Sequence, residues 1–298
     1  MLKSAMNWRK ILKSRVKVKE PLKRHTTFKI GGPADFFVYC RDIPGLRAVL
    51  GFAKKNKIRA LLIGGGSNIL ASDKGVKAMV IKLDGPYFKK ISFKRDTVIA
   101  GSALGLNQLS FATSGQGLRG LEFLAGIPGT VGGALLMNAG AWQEEIADYL
   151  VKIEVMDYNG KVKSIARKNI KFGYRTSNLS KYIILSSVFR LSKGDIRQAK
   201  AKIRAYLEKR RSIQDLSLPS AGSVFKNPKA GCSAGRLIDL CGLKGRRIGK
   251  AAISSKHANF ILNKKDARAQ DVVRLMNLAR KEVRRKFKVN LEPEIKIW

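Results

Sequence analysis

An α+β fold built from consecutive units is what this sequence predicts, and three observations predict it. Short runs rich in β-branched and aromatic residues recur between Asp35 and Leu191, two Gly-rich uncharged turns interrupt them, and helical periodicity takes over in the last third. The length agrees, because 298 residues suffice for two or three units that each bury a core.

Residues 1–20 read as a basic arm, and no apolar stretch of signal-peptide length follows it. Residues 21–77 form the first unit. Its fold starts near Thr26, Phe36-Phe37-Val38-Tyr39 makes a strand, and Leu46, Val49, Leu50 and Ala53 mark one face of a helix after Pro44; a strand over 58–63 follows. Residues 78–195 form a second, strand-rich unit, with strands over 79–83, 97–100, 150–157, 162–165 and 183–191 and helices over 106–114 and 134–142. Asn159-Gly160 is a two-residue hairpin signal between two of those strands. Residues 196–298 form the third unit: a connector helix over 196–211, a helix over 233–241 closed by Gly242, and a helix over 267–287. The last aligns Val272, Leu275, Met276, Ala279, Val283 and Phe287 on one face.

Composition narrows the class. With 45% hydrophobic and 27% charged residues the chain is globular, not disordered. Sixty Lys+Arg against 21 Asp+Glu, a net charge of +39, favour anionic partners such as nucleotides, acidic sugars, nucleic acid or anionic membrane surfaces. The basic residues are spread over the whole chain, so no specific nucleic acid is expected. Cys40, Cys232 and Cys241 form no C-x-x-C pair, which fits the reducing cytoplasm. Two histidines, His25 and His257, lie far apart, and no metal centre is expected.

The two turns carry the first functional signal. In Leu61 to Leu70 an apolar run ends at Gly64-Gly65-Gly66 and continues through Ser67 and Asn68. Glycines leave successive N–H groups free to point into one concavity, a nest suited to phosphate oxygens, and the Ser and Asn side chains can add bonds to the same anion. A lone Gly-Gly-Gly is ordinarily only a flexible turn. A second stretch of the same character shifts that balance: 121–141 carries no charge from Phe123 to Trp142 and holds Gly126, Pro128, Gly129, Gly132, Gly133, Asn138 and Gly140. So many helix breakers argue against a membrane span, which needs roughly 20 predominantly apolar residues in one helix. Neither stretch matches the dinucleotide fingerprint or the P-loop. They point to a nucleotide or dinucleotide in another architecture.

Three further segments place a functional group beside Gly, Pro or an aromatic: Phe172-Gly173-Tyr174-Arg175, Gly222-Ser223-Val224-Phe225-Lys226-Asn227-Pro228, and Glu292-Pro293-Glu294. With the two turns, and with His257-Ala258-Asn259-Phe260, they stand in an order that resembles the UDP-N-acetylenolpyruvoylglucosamine reductases (MurB), in the shorter subtype. The likeness covers residues 22–298. It implies a two-part FAD-binding domain of the vanillyl-alcohol-oxidase type and a C-terminal α+β domain for the UDP-sugar. It implies FAD and NADPH as cofactors, with NADPH reducing the flavin and the flavin passing a hydride to the vinyl carbon of an enolpyruvyl UDP-sugar in peptidoglycan synthesis. By the same resemblance the catalytic residues are Arg175 for the carboxylate, Ser223 as proton donor and a protonated Glu294. The cofactor residues are Gly64, Gly65, Gly66, Ser67, Asn68, Gly126, Ile127, Pro128, Gly129, Thr130, Gly133, Asn138 and Gly140. Tyr174, Lys226, Asn227, Lys244, His257 and Asn259 are the substrate candidates, Lys and amide groups being suited to phosphate and to the edge of uracil. Lys226 is also the candidate cation beside Ser223.

Taken singly, Arg175 reads as surface charge, Ser223 as a turn residue and Glu294 as a partner for excess cations; taken jointly, their contexts favour the site. His25 departs from the Asn the family commonly carries there, and the chain between Arg175 and Ser223 is too short for the extra subdomain of the longer subtype. Two rivals stay open: a related flavoprotein oxidase with another substrate, and a basic nucleic-acid-binding protein, which would be colourless.

Overall fold

A computed structural model of the chain describes residues 15–229 and 231–298. They divide into two compact units, each made of three stretches: 15–18, 36–65 and 78–208 in the first, and 19–35, 66–77 and 209–298 in the second.

The first unit holds two sheets. One has the strand order Arg15–Pro21, Pro33–Cys40, Val76–Leu83 and Ala60–Leu62, the last pair parallel. Helix Ile43–Lys55 starts at Asp42, whose Oδ1 accepts the N–H of Gly45 at 2.7 Å, and buries Leu46, Val49, Leu50 and Ala53 as its periodicity predicts. These pack with Val38, Cys40, Met79 and Ile81 in one core. The other sheet is antiparallel, in the order Val162–Ala166, Leu150–Asp157, Tyr182–Arg190, Thr97–Gly101 and Ile91–Lys94. Its core takes Val98, Ile153, Val155, Ile184 and Phe189 together with Leu106 and Leu109 of helix Leu106–Gly115.

The second unit packs helices Ala234–Leu240 and Ala269–Phe287 with an antiparallel sheet of Arg247–Ile248, Ala251–Ile253 and Ile261–Asn263. Val272, Leu275, Met276, Ala279 and Val283 line the buried face of the long helix. Gly242 closes the short helix with φ 71°.

Three expectations need correction. The arm 1–20 lies partly outside the described residues, and from Arg15 onward it is strand: Val16 and Val18 alternate with lysines, and Val16 packs against the core. The segment 21–77 is not one unit. Phe28, Ile30 and Leu70 belong to the core of the long helix, Thr27 Oγ1 donates to Ser220 O at 2.7 Å, and Asp73 accepts the N–H groups of Ala269 and Gln270 at 2.8 and 3.3 Å. The helix over 134–142 is shorter, Val131–Leu136, because Asn138 turns left-handed at φ 45° and Gly140 enters a small hairpin, Gly140–Ala141 with Glu144–Glu145. Strand Ile91–Lys94 was not anticipated.

Candidate active site

The first unit brings the two Gly-rich turns together. A Cβ built on Gly64 would stand 2.5 Å from the Thr130 side-chain Oγ1, and one on Gly65 would stand 2.9 Å from the Cα of Gly129, so at Gly65 only glycine permits this approach of backbone to backbone. Asn107 Oδ1 holds the second turn by accepting the N–H of Gly126 at 2.6 Å, and Thr130 Oγ1 accepts that of Gly133 at 3.4 Å. Among the described residues no acceptor takes the N–H groups of Gly64, Gly65, Gly129 or Thr130. Buried Ser102 Oγ and Asn138 Oδ1 likewise find no partner among the described residues. Unanswered backbone donors in a glycine-lined cradle fit the phosphates and polar edges of a dinucleotide such as FAD. Ile127 packs against the unit's core beside Pro128, while Gly140 is fixed by the closeness of Glu144.

Arg175 sits in the same unit at the tip of a hairpin, Phe172–Gly173 paired with Thr176–Ser177. Its φ is 55°, and its guanidinium lies 5.3 Å from the ring centre of Tyr174, which is 47% exposed. Two bonds anchor the hairpin: Asn138 Nδ2 donates to Gly173 O at 3.2 Å, and Ser177 Oγ donates to Leu136 O at 2.8 Å. Asn138 Nδ2 also donates to Glu145 Oε2 at 2.6 Å.

In the second unit Ser223 and Glu294 lie on neighbouring segments. Ser223 bridges Phe260, Phe225 bridges Pro293, the N–H of Glu294 donates to Val224 O at 2.9 Å, and that of Lys226 donates to Glu292 O at 2.9 Å. Gly222, at φ 73°, turns the chain into this ladder. Asn68 Nδ2 donates to Glu294 O at 3.1 Å, and Ile69–Leu70 pairs in parallel with Lys296–Ile297. Asn68 thus holds the Glu294 backbone, and Gly66 faces His25 O at a distance no Cβ tolerates.

Several substrate candidates are engaged within the protein. Asn259 is 3% exposed; its Oδ1 accepts the N–H of Phe225 at 3.0 Å and its Nδ2 donates to Phe225 O at 2.8 Å. Its amide clamps the Ser223 segment, which corrects the expectation that it reads uracil. Asn227 Oδ1 accepts the N–H of Ala234 at 3.1 Å. Lys226 pairs with Glu292 at 2.6 Å and Lys244 with Asp239 at 2.7 Å. Burial, with Lys244 adding to it, pushes the His257 imidazole below its ordinary range, and its Nδ1 accepts the N–H of Asn259 at 3.2 Å. Reasoning from the sequence missed Asn107 and Glu145. The one signal for Glu145 is a carboxylate placed just beyond an uncharged run.

The comparisons decide the family. The C-terminal domain model of the UDP-N-acetylenolpyruvoylglucosamine reductases matches residues 214–298, and an FAD binding domain model matches 34–166. The chain is 43% identical over 280 residues to the UDP-N-acetylenolpyruvoylglucosamine reductase of Alkaliphilus oremlandii, covering 93% of this chain and 91% of that one. This chain belongs to the UDP-N-acetylenolpyruvoylglucosamine reductase family. A second relative, from Symbiobacterium thermophilum, is 42% identical over 95% of this chain and 92% of its own. The crystal structure of the Thermus caldophilus reductase superimposes with a TM-score of 0.82 at 35% identity, over 96% of this chain and 99% of that one.

The expected fold class holds: an FAD-binding domain plus a C-terminal α+β domain. As a reductase of this family the chain is an FAD-dependent oxidoreductase, driven by NADPH, that reduces enolpyruvyl-UDP-N-acetylglucosamine in peptidoglycan synthesis. Among the described residues no helix is long and apolar enough to cross a membrane.

Proposed function

We propose that Arg175, Ser223 and Glu294 carry this reduction and that the two glycine turns hold the cofactor. When bound and reduced by NADPH, FAD would supply the hydride that the terminal vinyl carbon of the enolpyruvyl group takes up. The neighbouring carbon and its carboxylate then gather charge. Arg175 meets the carboxylate with a planar, permanently charged fork. Ser223 gives its hydroxyl proton to the neighbouring carbon, which completes the lactyl ether. Glu294, as the neutral acid, donates a hydrogen bond to the developing charge, a role a carboxylate could not fill.

The observation that carries this reading is the ladder in which the Glu294 N–H bonds to Val224 O, next to Ser223, with Asn259 clamping Phe225 on the other side. Lys226, Lys244, Asn227 and His257 remain the groups for the UDP portion. Gly64, Gly65, Gly129 and Thr130 serve the cofactor with backbone donors, Gly126, Ile127, Pro128 and Gly133 shape that turn, and Gly66, Ser67 and Asn68 lead from it into the Glu294 segment. We assign the reaction to the cytoplasm, a reading supported by Cys40, Cys232 and Cys241 standing as free thiols.

Anaerobic spectroscopy tests the assignment. The purified protein should show a flavin spectrum that bleaches with NADPH and returns with the enolpyruvyl UDP-sugar. Ser223→Ala should bleach normally and return at least about a hundredfold more slowly, the scale of losing a general acid. Normal return in Ser223→Ala would remove Ser223 from the reaction. Reoxidation by oxygen alone would point to the oxidase alternative.

A further inference from the structure

Arg175 stands on a two-residue turn, and a turn of that size has no core of its own. Ser177 holds its far strand to Leu136, and Asn138, whose side chain is fully buried, holds Gly173 on the near one. Both groups on Asn138 Nδ2, Glu145 Oε2 at 2.6 Å and Gly173 O at 3.2 Å, are acceptors, so the carboxamide can take only one orientation. Asn138 also has φ 45°, where glycine would be the least strained choice. A glycine would preserve the backbone path and lose both bonds. Glu145 in turn is fixed at its backbone, since its N–H donates to Asp148 Oδ2 at 3.0 Å and Ile146 N–H donates to Ala139 O at 2.9 Å. Next to it, Glu144 is tied by Lys202 at 3.0 Å, Tyr206 at 2.9 Å and Tyr149 at 2.8 Å.

The geometry points to Glu145 as a positioning residue for the reduction: its carboxylate holds Asn138, and Asn138 holds the Gly173 carbonyl at the base of the Arg175 turn. The short bond from Nδ2 is charge-assisted, which makes it the stronger of the two and the one that sets the amide plane. This inference rests on the role proposed above for Arg175. It adds that the guanidinium is aimed from a distance by an acid that touches neither cofactor nor substrate.

The test uses the full-length holoenzyme and three readouts: the rate of flavin reduction by NADPH, the rate of flavin return with the UDP-sugar, and the Kd of the UDP-N-acetylmuramate product for the oxidised enzyme. Glu145→Ala should weaken product binding and slow the return by about tenfold each, the loss typical of a charged hydrogen bond. Reduction by NADPH should slow by a clearly smaller factor than the return, because Glu145 reaches the Arg175 turn through Asn138, whose Oδ1 is also among the groups offered to the cofactor. Glu145→Gln keeps an acceptor oxygen and should restore most of the loss. If Glu145→Ala does not hold flavin, Glu145→Asp, whose side chain falls short of Asn138, takes its place with the same expectation. In an Arg175→Ala background, Glu145→Ala should cost nothing further. Additive losses, or equal slowing of both half-reactions, would overturn the inference and leave Arg175 standing. Wild-type behaviour of Arg175→Ala would overturn both.

Discussion

Asn259 shows how a residue of the right type can be occupied elsewhere. A carboxamide offers two N–H donors and two acceptor lone pairs; here one of each goes to the backbone of Phe225, and the side chain is buried. Its work is therefore to hold the Ser223 segment against residues 257–260. Removing it leaves the Phe225 N–H and carbonyl buried without partners, each costing about 1–3 kcal/mol. Asn259→Ala should thus lower unfolding free energy by about 2–6 kcal/mol in urea titrations. A variant of unchanged stability but weakened UDP-sugar binding would restore the uracil role. Lys226 and Lys244 carry the same lesson at the surface, since their ammonium groups meet Glu292 and Asp239. Exposed pairs of this kind contribute little stability and open readily to a phosphate.

At the scale of elements, the Arg175 hairpin sets stability against activity. A non-glycine residue at φ 55° costs about 1–2 kcal/mol relative to glycine. Arg175→Gly should therefore raise unfolding free energy by up to about 1 kcal/mol while slowing the reduction by about a hundredfold or more. A calorimetric melt and the flavin-return rate report the two halves, and a destabilised Arg175→Gly would show that the guanidinium also braces the fold. Local pattern accounts for what was legible beforehand. The helix Ala269–Phe287 announced itself by an apolar residue every three or four positions, and the turn at Gly160 by Asn-Gly before an alternating run. Both signals are local in the sequence, the longer running from Val272 to Phe287. What was hidden is non-local. Strand Arg15–Pro21 hid its two valines among lysines, and the helix ending at Leu136 depended on an Asn whose side chain is fixed by Glu145 and Gly173. The union of 19–35 and 66–77 with the C-terminal stretch depended on Asp73 meeting a helix start about 200 residues away. Of the candidate site, residue types and order were legible, and partners were not.

For the whole molecule the net charge of +39 is a standing source of self-repulsion, and it grows as carboxylates take up protons. Acid should therefore destabilise this enzyme by two separable routes. The global route is Coulombic and long-ranged, so salt screens it. The local route runs through buried groups. Burial holds His257 neutral, with a folded pKa below its unfolded value of about 6.5. Above that value neither state is protonated and the contribution is complete; as pH falls below it the unfolded chain takes up a proton first, and stability is lost down to the folded pKa. Glu144 acts lower. Burial opposes its ionisation, but bonds from Lys202, Tyr149 and Tyr206 overrule burial and hold its carboxyl below the ordinary range. Its contribution is present above the unfolded pKa of about 4.5 and disappears as pH falls through the folded one. Urea unfolding at descending pH, in low and in high salt, separates the routes. Added salt should recover the smooth part of the loss and leave a step that begins near pH 6.5. His257→Gln, which keeps an acceptor for the Asn259 N–H, should remove that step alone, and a step that survives in His257→Gln would assign it to another group.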